Sequence, residues 1–305
     1  MSSRTRLPHN TTMSLSNGIG APSYVGIGGE RVAYYRFGHG PSVVLIHGIP
    51  TWSYLWRNVI PPLVQDGLEI VAIDLLGYGN SDKPAGADLG IAAQAELVAA
   101  VLRKFNWNGR AIVGHDIGGG VAQLICANDS NAAERLVLVD TIAYDSFPEP
   151  GIARLREPIW DSILSAPDFD LGKGLGKGFT RGMVHKGRIT PELIEAYERP
   201  FRGVDGRLAY LRAARALRTE ELAARANEVE KLNNPTLIVW GTEDVFQPVR
   251  YGVRLAAAMP RARLEKVENA GHFLPEDEPL IVARLIADFV KSPTDTSKSP
   301  TGTPL

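Results

Sequence analysis

Short, continuous apolar runs recur through the first half of the chain, with longer amphipathic stretches between them. Apolar runs bounded by polar residues and glycines are typical of strands that are buried on both faces of a parallel sheet. These runs cover residues 31–37, 42–47, 69–74, 111–115 and 136–140. The stretches between them fit helices at 53–66, 91–106 and 117–128. This alternation predicts an α/β fold with a mostly parallel central sheet flanked by helices.

The alternation stops near residue 143 and resumes near residue 233. Between these points the periodicity favours helices only, at 152–164, 191–201 and 208–226, with a glycine-rich interruption at 172–182. Strands return at 236–241 and 263–268, with helices near 248–258 and 277–291. The pattern therefore predicts one core, residues 23–142 and 233–291, which carries a helical insertion at 143–232. Residues 1–22 and 292–305 are polar, and we expect them to form a disordered leader and tail.

One spacing inside the glycine-rich stretch favours a helix there as well. Four apolar residues, Leu171, Leu175, Phe179 and Met183, follow one another at intervals of four. That interval places side chains on one helix face, so the packed face of a helix is a better interpretation than a ligand site.

Composition and charge narrow the range of partners. The 305 residues are 44% hydrophobic and 22% charged, with a net charge of −1 and scattered basic residues, so no nucleic-acid or membrane partner is expected. Cys126 is the only cysteine, which excludes an internal disulfide and a cysteine metal cluster. No apolar run reaches the roughly 18 residues that span a bilayer, and no secretory signal is recognisable, so a cytoplasmic protein is expected. No dinucleotide fingerprint is present, and we expect no cofactor and no metal.

Candidate chemistry begins at residues 113–119, which read Val-Gly-His-Asp-Ile-Gly-Gly. The Gly-x-nucleophile-x-Gly spacing is typical of the sharp strand-to-helix turn that exposes a nucleophile, and Asp116 occupies the central position. A helix N-cap at an ordinary turn is the alternative interpretation. A carboxylate that attacks saturated carbon forms an ester that water can cleave, whereas attack on an acyl group would form an anhydride. Asp116 therefore predicts a substrate such as an alkyl halide or an epoxide.

A base and an orienting acid follow Asp116 in the order nucleophile, acid, histidine. His272 lies in a loop before the last helix and is the candidate general base that activates water. Asp244 follows the strand at 236–241 and is the candidate that orients the imidazole. Asp140, at the end of an earlier strand, and Glu243, next to Asp244, remain alternatives for that role.

The loop after the strand at 42–47 supplies the last part of the candidate site. It reads His-Gly-Ile-Pro, and the peptide N–H of Ile49, together with that of Ile117, could form an oxyanion hole. Such a hole would hold the negative charge on the carboxyl oxygen of Asp116 while water attacks the ester.

Two further stretches carry a family resemblance, HGIPTWSYLWRNVIPP at 47–62 and DLLGYGNSDKP at 74–84. With the Asp116 turn and the His272 loop, they resemble the α/β-hydrolase superfamily, and within it the branch of haloalkane dehalogenases, haloacetate dehalogenases and epoxide hydrolases. The resemblance spans residues 24–290 and is weakest in the insertion. It implies that the insertion is a cap domain over the pocket, that the substrate is a small molecule, and that the protein is a monomer or homodimer.

The chain departs from this branch in the groups that stabilise a leaving group. Haloalkane dehalogenases hold the halide with an Asn and a Trp at the places of Ile49 and Ile117, whose side chains donate no hydrogen bond. The candidates to replace them are Trp52, Trp56 and Trp160, of which Trp56 could equally be a core residue of a helix. Epoxide hydrolases use cap tyrosines to protonate the ring, and Tyr210 lies one position from such a place; Tyr144 and Tyr197 are further options. Haloacetate dehalogenases use arginines around the nucleophile, and none is present here.

These observations predict a hydrolase that forms an alkyl-enzyme ester on Asp116, in the manner of a haloalkane dehalogenase. An epoxide hydrolase that releases a diol is the alternative, and a non-catalytic ligand-binding member of the fold is a further one.

Overall fold

The structure is a computed structural model that describes residues 18–293. Eight strands of this range form one sheet in the order β1-β2-β4-β3-β5-β6-β7-β8. The strands are β1 (Ser23–Ile27), β2 (Glu30–Phe37), β3 (Ser42–Ile46), β4 (Glu69–Ile73), β5 (Ala111–His115), β6 (Arg135–Val139), β7 (Thr236–Gly241) and β8 (Ala262–Val267). β2 pairs antiparallel with β1 and β4, whereas β4, β3, β5, β6, β7 and β8 pair in parallel. The predicted α/β fold is confirmed.

Within residues 18–293, six α-helices and a 3₁₀ turn at Ser53–Trp56 accompany the strands outside the insertion. They are α1 (Ile60–Gln65), α2 (Ile91–Lys104), α3 (Ile117–Asn128), α11 (Arg250–Ala258), α12 (Leu274–Asp277) and α13 (Pro279–Lys291). α1 packs on α13, and α2 packs on α3. The central strands β5, β6 and β7 are buried along their whole length, which explains their unbroken apolar sequence. All the parallel strands run toward the same edge, so the loops that follow them meet there.

Between β6 and β7 the described chain forms helices joined by loops, with no strand. The helices are α4 (Pro150–Ala153), α5 (Ile159–Ser165), α6 (Leu171–Gly182), α7 (Pro191–Glu198), α8 (Gly203–Arg215), α9 (Thr219–Ala223) and α10 (Ala226–Glu230), with short 3₁₀ turns at 154–156, 186–188 and 199–201. The glycine-rich stretch is not an interruption, because it forms α6. The Asp170 side chain caps this helix by accepting a hydrogen bond from the Lys173 N–H (2.8 Å).

The apolar face predicted for this stretch is present on α6. Leu171, Leu175 and Phe179 are buried, and Met183 is buried directly after the helix ends. Burial of these side chains offsets the cost of glycine in a helix interior, which is about 1 kcal/mol per residue relative to alanine.

The expectations for the two ends of the chain concern mainly residues outside 18–293. Within the described part, Ile19 is fully buried in the hydrophobic core, so it belongs to the core rather than to a leader. No helix between residues 18 and 293 combines the length and the hydrophobicity that a bilayer span requires.

Candidate active site

Asp116 sits at the turn between β5 and α3 in a backbone conformation that non-glycine residues rarely adopt (φ 51°, ψ −119°). The neighbouring glycines permit this turn. A Cβ on Gly114 would come within 3.0 Å of the Gly118 backbone, and one on Gly118 would come equally close to the carbonyl oxygen of His47. The Asp116 side chain makes no capping hydrogen bond to α3, so the N-cap interpretation does not describe its contacts. Backbone strain of roughly 1–3 kcal/mol at such a residue is typical of functional sites.

Two peptide N–H groups contact the Asp116 carboxyl. The N–H of Ile49 donates to Oδ1 at 2.9 Å, and the N–H of Ile117 lies close enough to the carboxyl group to lower its pKa. Gly48 makes the approach of this loop possible, because a Cβ there would lie 2.5 Å from Oδ1. Burial raises the pKa of Asp116, while His272 and the two N–H groups counteract part of that effect. The two donors therefore lie where charge on a carboxyl oxygen needs stabilisation.

His272 lies beside the other carboxyl oxygen. Its Nε2 is 3.7 Å from Oδ2 of Asp116, and its Nδ1 is 2.9 Å from Oδ2 of Asp244. Oδ1 of Asp244 in turn accepts the N–H groups of Phe246 and Gln247, both at 2.8 Å, which fix the carboxyl. Burial alone would lower the pKa of His272. The carboxyl groups of Asp244 and Asp116 together raise it by more than burial lowers it, so the pKa lies above its ordinary value.

The two alternative acids have other surroundings. Asp140 is buried at the end of β6, where its Oδ1 accepts the N–H of Gly241 at 2.8 Å. Burial, with Asp244 nearby, raises the pKa of Asp140 well above its ordinary range. Glu243 is exposed. Of the three candidates, Asp244 is the one whose carboxyl contacts the His272 ring.

A cavity of about 690 Å³ opens above Asp116 and His272, between the core and the insertion. Trp160 and Tyr210 line it, together with Ile49 and Ile117. Most of its other walls are apolar side chains, including Ile142, Phe147, Leu155, Leu164, Leu171, Leu175, Phe179, Leu217, Phe246 and Phe273. Its volume lies within the range of small-molecule sites, about 300–1,000 Å³.

Trp56 lies outside the cavity wall, and so does Trp52. Its ring is buried and stacks on Tyr54, and its indole N–H donates to the carbonyl oxygen of Ala196 at 3.1 Å. Trp52 thus joins the core to the end of α7. The other tyrosine options also lie outside the cavity wall: Tyr197 donates to Glu276, and Tyr144 stacks on Tyr251.

Tyr210 is the tyrosine that the structure brings to the cavity. It lies on α8, packs against Phe201, and is 8% exposed. Burial raises its pKa to about 12, so the hydroxyl keeps its proton near neutral pH. No hydrogen bond to this hydroxyl is formed within residues 18–293, which leaves it free to donate into the cavity.

Sequence reasoning missed the groups that fix the His272 loop. Oδ2 of Asp277 accepts the N–H of Gly271 and that of Val184, both at 2.9 Å, and thereby joins the loop to the residues after α6. His115 Nε2 donates to the carbonyl oxygen of His272 at 2.8 Å. Two of these contacts join residues more than 90 positions apart, and the third joins Gly271 to Asp277 at the end of α12, so no local pattern indicates them. Among residues 18–293, no group of three His, Cys, Asp or Glu side chains is arranged to hold a metal ion.

Comparison with known proteins places this site in context. A model of the alpha/beta hydrolase family matches residues 43–285. A relative from Mycobacterium bovis named haloalkane dehalogenase 2 is 28% identical over 85% of this chain and 91% of its own. An alpha/beta hydrolase fold protein from Burkholderia ambifaria superposes with a TM-score of 0.80 at 26% identity, covering 87% of this chain and 97% of that one. The epoxide hydrolase CorEH superposes with a TM-score of 0.74 at 26% identity over 88% and 98%.

Proposed function

The chain belongs to the alpha/beta hydrolase family, and from that premise we propose that it hydrolyses epoxides through an alkyl-enzyme ester on Asp116. The observation that carries the proposal is the surroundings of this carboxyl. Peptide N–H groups hold it on one side, the His272 imidazole lies 3.7 Å from its Oδ2, and an apolar cavity opens in front of it. A serine or cysteine nucleophile would suit an acyl substrate, whereas a carboxylate suits saturated carbon.

In the first step, an Asp116 carboxyl oxygen attacks one ring carbon of the epoxide. A carbon–oxygen bond to the enzyme forms, the ring carbon–oxygen bond breaks, and the ring oxygen takes the Tyr210 hydroxyl proton. The position of Tyr210 on the cavity wall supports this role, because its hydroxyl is protonated near neutral pH and forms no hydrogen bond with the described residues.

In the second step, His272 takes a proton from water, and the resulting hydroxide adds to the carboxyl carbon of the ester. The N–H groups of Ile49 and Ile117 stabilise the oxyanion. The bond between the carboxyl carbon and the alkylated oxygen then breaks. The leaving oxygen takes the proton of the added hydroxyl, so the diol departs and the Asp116 carboxylate is restored. The proton held by His272 replaces the one that Tyr210 gave up, so the enzyme returns to its starting state.

Ester formation also prepares the histidine for its role. The charge of Asp116 is one of the causes that raise the pKa of His272, after Asp244. Alkylation removes that charge, so the pKa of His272 falls in the intermediate. The neutral base is then more abundant at the stage at which water must be activated.

Carbon–halogen hydrolysis is the second candidate. It is favoured by Trp160, whose indole lines the cavity and forms no hydrogen bond within the described chain, and by the dehalogenase named among the relatives. Against it, Ile49 and Ile117 offer no side-chain donor for a halide, and the Trp52 N–H is already bonded to Ala196. The Tyr210 hydroxyl can protonate an epoxide oxygen, and this match favours the epoxide over the halide.

A single-turnover reaction in heavy-oxygen water tests the proposal, with the enzyme in excess over styrene oxide or n-butyl bromide. We expect the heavy oxygen in the peptide that contains Asp116 and ordinary oxygen in the product of the first turnover. Label found only in the product would indicate direct attack by water and would overturn the ester mechanism. No turnover of any electrophile would favour a non-catalytic ligand-binding protein.

Tyr210→Phe separates the two leaving groups. Loss of the hydroxyl should slow alkylation by the epoxide roughly a hundredfold or more, because a general acid is removed. Alkylation by the bromide needs no proton and should be nearly unchanged. Equal rates for the epoxide in both proteins would remove Tyr210 from the mechanism.

A further inference from the structure

Basic side chains follow one another along the cavity wall that α6 forms. Lys173, Lys177 and Arg181 are spaced by four residues, which places them along one side of the helix. All three line the cavity, and all three are exposed, so their charged ends lie toward its mouth. The wall is therefore basic where the cavity meets solvent.

The acidic groups on the same wall neutralise only part of this charge. Glu149 pairs with Arg181 at 2.8 Å, and Arg181 also lies over the Phe246 ring. Asp170 contributes a carboxyl that accepts the backbone N–H of Lys173 as the helix cap. The ammonium groups of Lys173 and Lys177 form no ion pair or hydrogen bond with any residue in the range 18–293. The three basic and two acidic side chains together leave a net charge of +1 at the mouth, where both lysine ammonium groups lack a partner among the described residues.

An open path leads from these lysines into the apolar interior. Gly174 and Gly178 line the cavity next to them, and a Cβ at either glycine would meet no atom within 4 Å. On the inner side of the same helix, Leu171, Leu175 and Phe179 are buried. A ligand chain could thus lie along α6 with one end among apolar side chains and the other beside the lysines.

We propose that the natural substrate is an apolar electrophile that carries a carboxylate, which Lys173 and Lys177 hold at the cavity mouth while the reacting carbon lies at Asp116. This inference rests on the proposed function, because it concerns the substrate class of the same site. A carboxylate suits the site better than a phosphate, since the guanidinium of Arg181, the group that binds phosphate bidentately, is committed to Glu149. Lysine ammonium groups act as point charges and impose little geometry on a singly charged group.

The expected effect is modest, because the pairs form in contact with solvent. An exposed ion pair changes an equilibrium by up to roughly fivefold, so two lysines should together favour the carboxylate by about threefold to tenfold in kcat/KM. Added salt should weaken that preference, since it screens exposed charges.

The test compares ω-epoxydecanoic acid with its methyl ester, which has the same carbon skeleton and the same electrophile but no charge. In the Lys173→Met/Lys177→Met variant we expect kcat/KM to fall about threefold to tenfold for the acid, mainly through KM, and to stay unchanged for the ester. Methionine keeps the apolar stem of the side chain, so packing is preserved. The control is Lys231→Met/Lys266→Met, which changes the net charge equally at exposed lysines away from the cavity.

The outcomes separate this inference from the function on which it rests. If both substrates are turned over but the acid has no advantage, or loses it equally in the control variant, the carboxylate site is wrong and the hydrolase stands. If neither substrate forms an ester on Asp116, the proposed epoxide hydrolysis fails and the carboxylate site fails with it.

Discussion

Two glycine-rich helices of this protein look alike in sequence and differ in structure. α3 has three consecutive glycines directly after its first residue, and α6 has glycines at alternate positions from 172 to 178. In α3, a Cβ on Gly118 or Gly119 would approach a core atom more closely than 3.0 Å. In α6, a Cβ on Gly174 or Gly178 would meet no atom within 4 Å. Close packing requires glycine at those two positions of α3, whereas Gly174 and Gly178 of α6 leave space in the cavity.

This difference assigns separate roles to the two regions. The core holds Asp116 in a strained conformation, and the packing around its glycines leaves no room to change it. In the insertion, the cavity wall has no such constraint at Gly174 and Gly178. We infer that the core determines the reaction, whereas the insertion determines which molecule reaches the nucleophile. Each prediction below would break or sharpen that division.

The largest expected effect is the loss of turnover when a histidine of the core is substituted, compared with substitution of a histidine in the insertion. His272→Gln removes the base but leaves Asp116 intact, so the ester should form and persist, and turnover should fall roughly a thousandfold or more. Intact-mass measurement after exposure to styrene oxide should show one stable adduct. His185→Gln is the matched control, because that half-exposed histidine pairs with Glu278 outside the cavity and its loss should leave turnover unchanged.

The two steps of the reaction, alkylation of Asp116 and hydrolysis of the ester, should each depend on pH through a residue of the core. Because the pKa of His272 lies above its ordinary value, the free enzyme should lose imidazolium only above about pH 6.5. Ester hydrolysis requires neutral His272, so its rate should rise about tenfold per pH unit below the pKa of the intermediate and level off above it. Alkylation requires ionised Asp116 rather than neutral His272, so its rate should follow a different titration, that of a carboxyl whose pKa is raised by burial. Rapid-quench rates across pH, with histidine titration of the free enzyme, check this difference, and the expectation is wrong if both steps share one profile.

Substitution of Gly118, in the turn that carries Asp116, should show how tightly the core is packed. A Cβ on Gly118 would contact the carbonyl oxygens of Ile46 and His47, which belong to β3 and its following loop and cannot retreat without breaking the sheet. Gly118→Ala should therefore lower the free energy of unfolding by about 3 kcal/mol or more. Urea unfolding followed by circular dichroism measures the loss. A variant as stable as the parent would show that the turn can relax.

Asp277 tests the junction between the two regions. It is fully buried and accepts N–H groups from the His272 loop and from residues 184 and 185. Asp277→Asn places an amide N–H₂ where acceptors are needed, so we expect a loss of about 1–3 kcal/mol in unfolding free energy. Displacement of the loop should also slow hydrolysis of the ester more than its formation. Glu278→Gln, at a partly exposed ion pair, should cost less than about 1 kcal/mol, and an equal loss in both variants would contradict this role.

The same division explains what could be predicted from the sequence. The strands around β5 were predictable because burial on both faces leaves an unbroken apolar run, whereas β1, an edge strand with one buried residue, carries no such signal. Asp116 could be found from the spacing of glycines around it, and Asp244 and His272 from their order along the chain after it. Trp52 could not be placed, because whether an indole faces a cavity or bonds to Ala196 depends on how α7 packs on the core. Asp277 was missed for the same reason, since its partners meet only in the folded chain.

The smallest effect, with the opposite sign, is expected in the insertion. Gly174→Ala and Gly178→Ala add a methyl group to open space on a helix, and each should raise the free energy of unfolding by roughly 0.5–1 kcal/mol, because alanine favours helix more than glycine. The methyl groups enter the cavity, so KM for a bulky epoxide should rise severalfold while that for a small one changes little. Urea unfolding and steady-state kinetics measure the two effects. Either substitution could instead destabilise the protein as much as Gly118→Ala does. The cavity wall would then be as tightly packed as the turn at Asp116, and open space at these glycines would no longer support assigning substrate choice to the insertion.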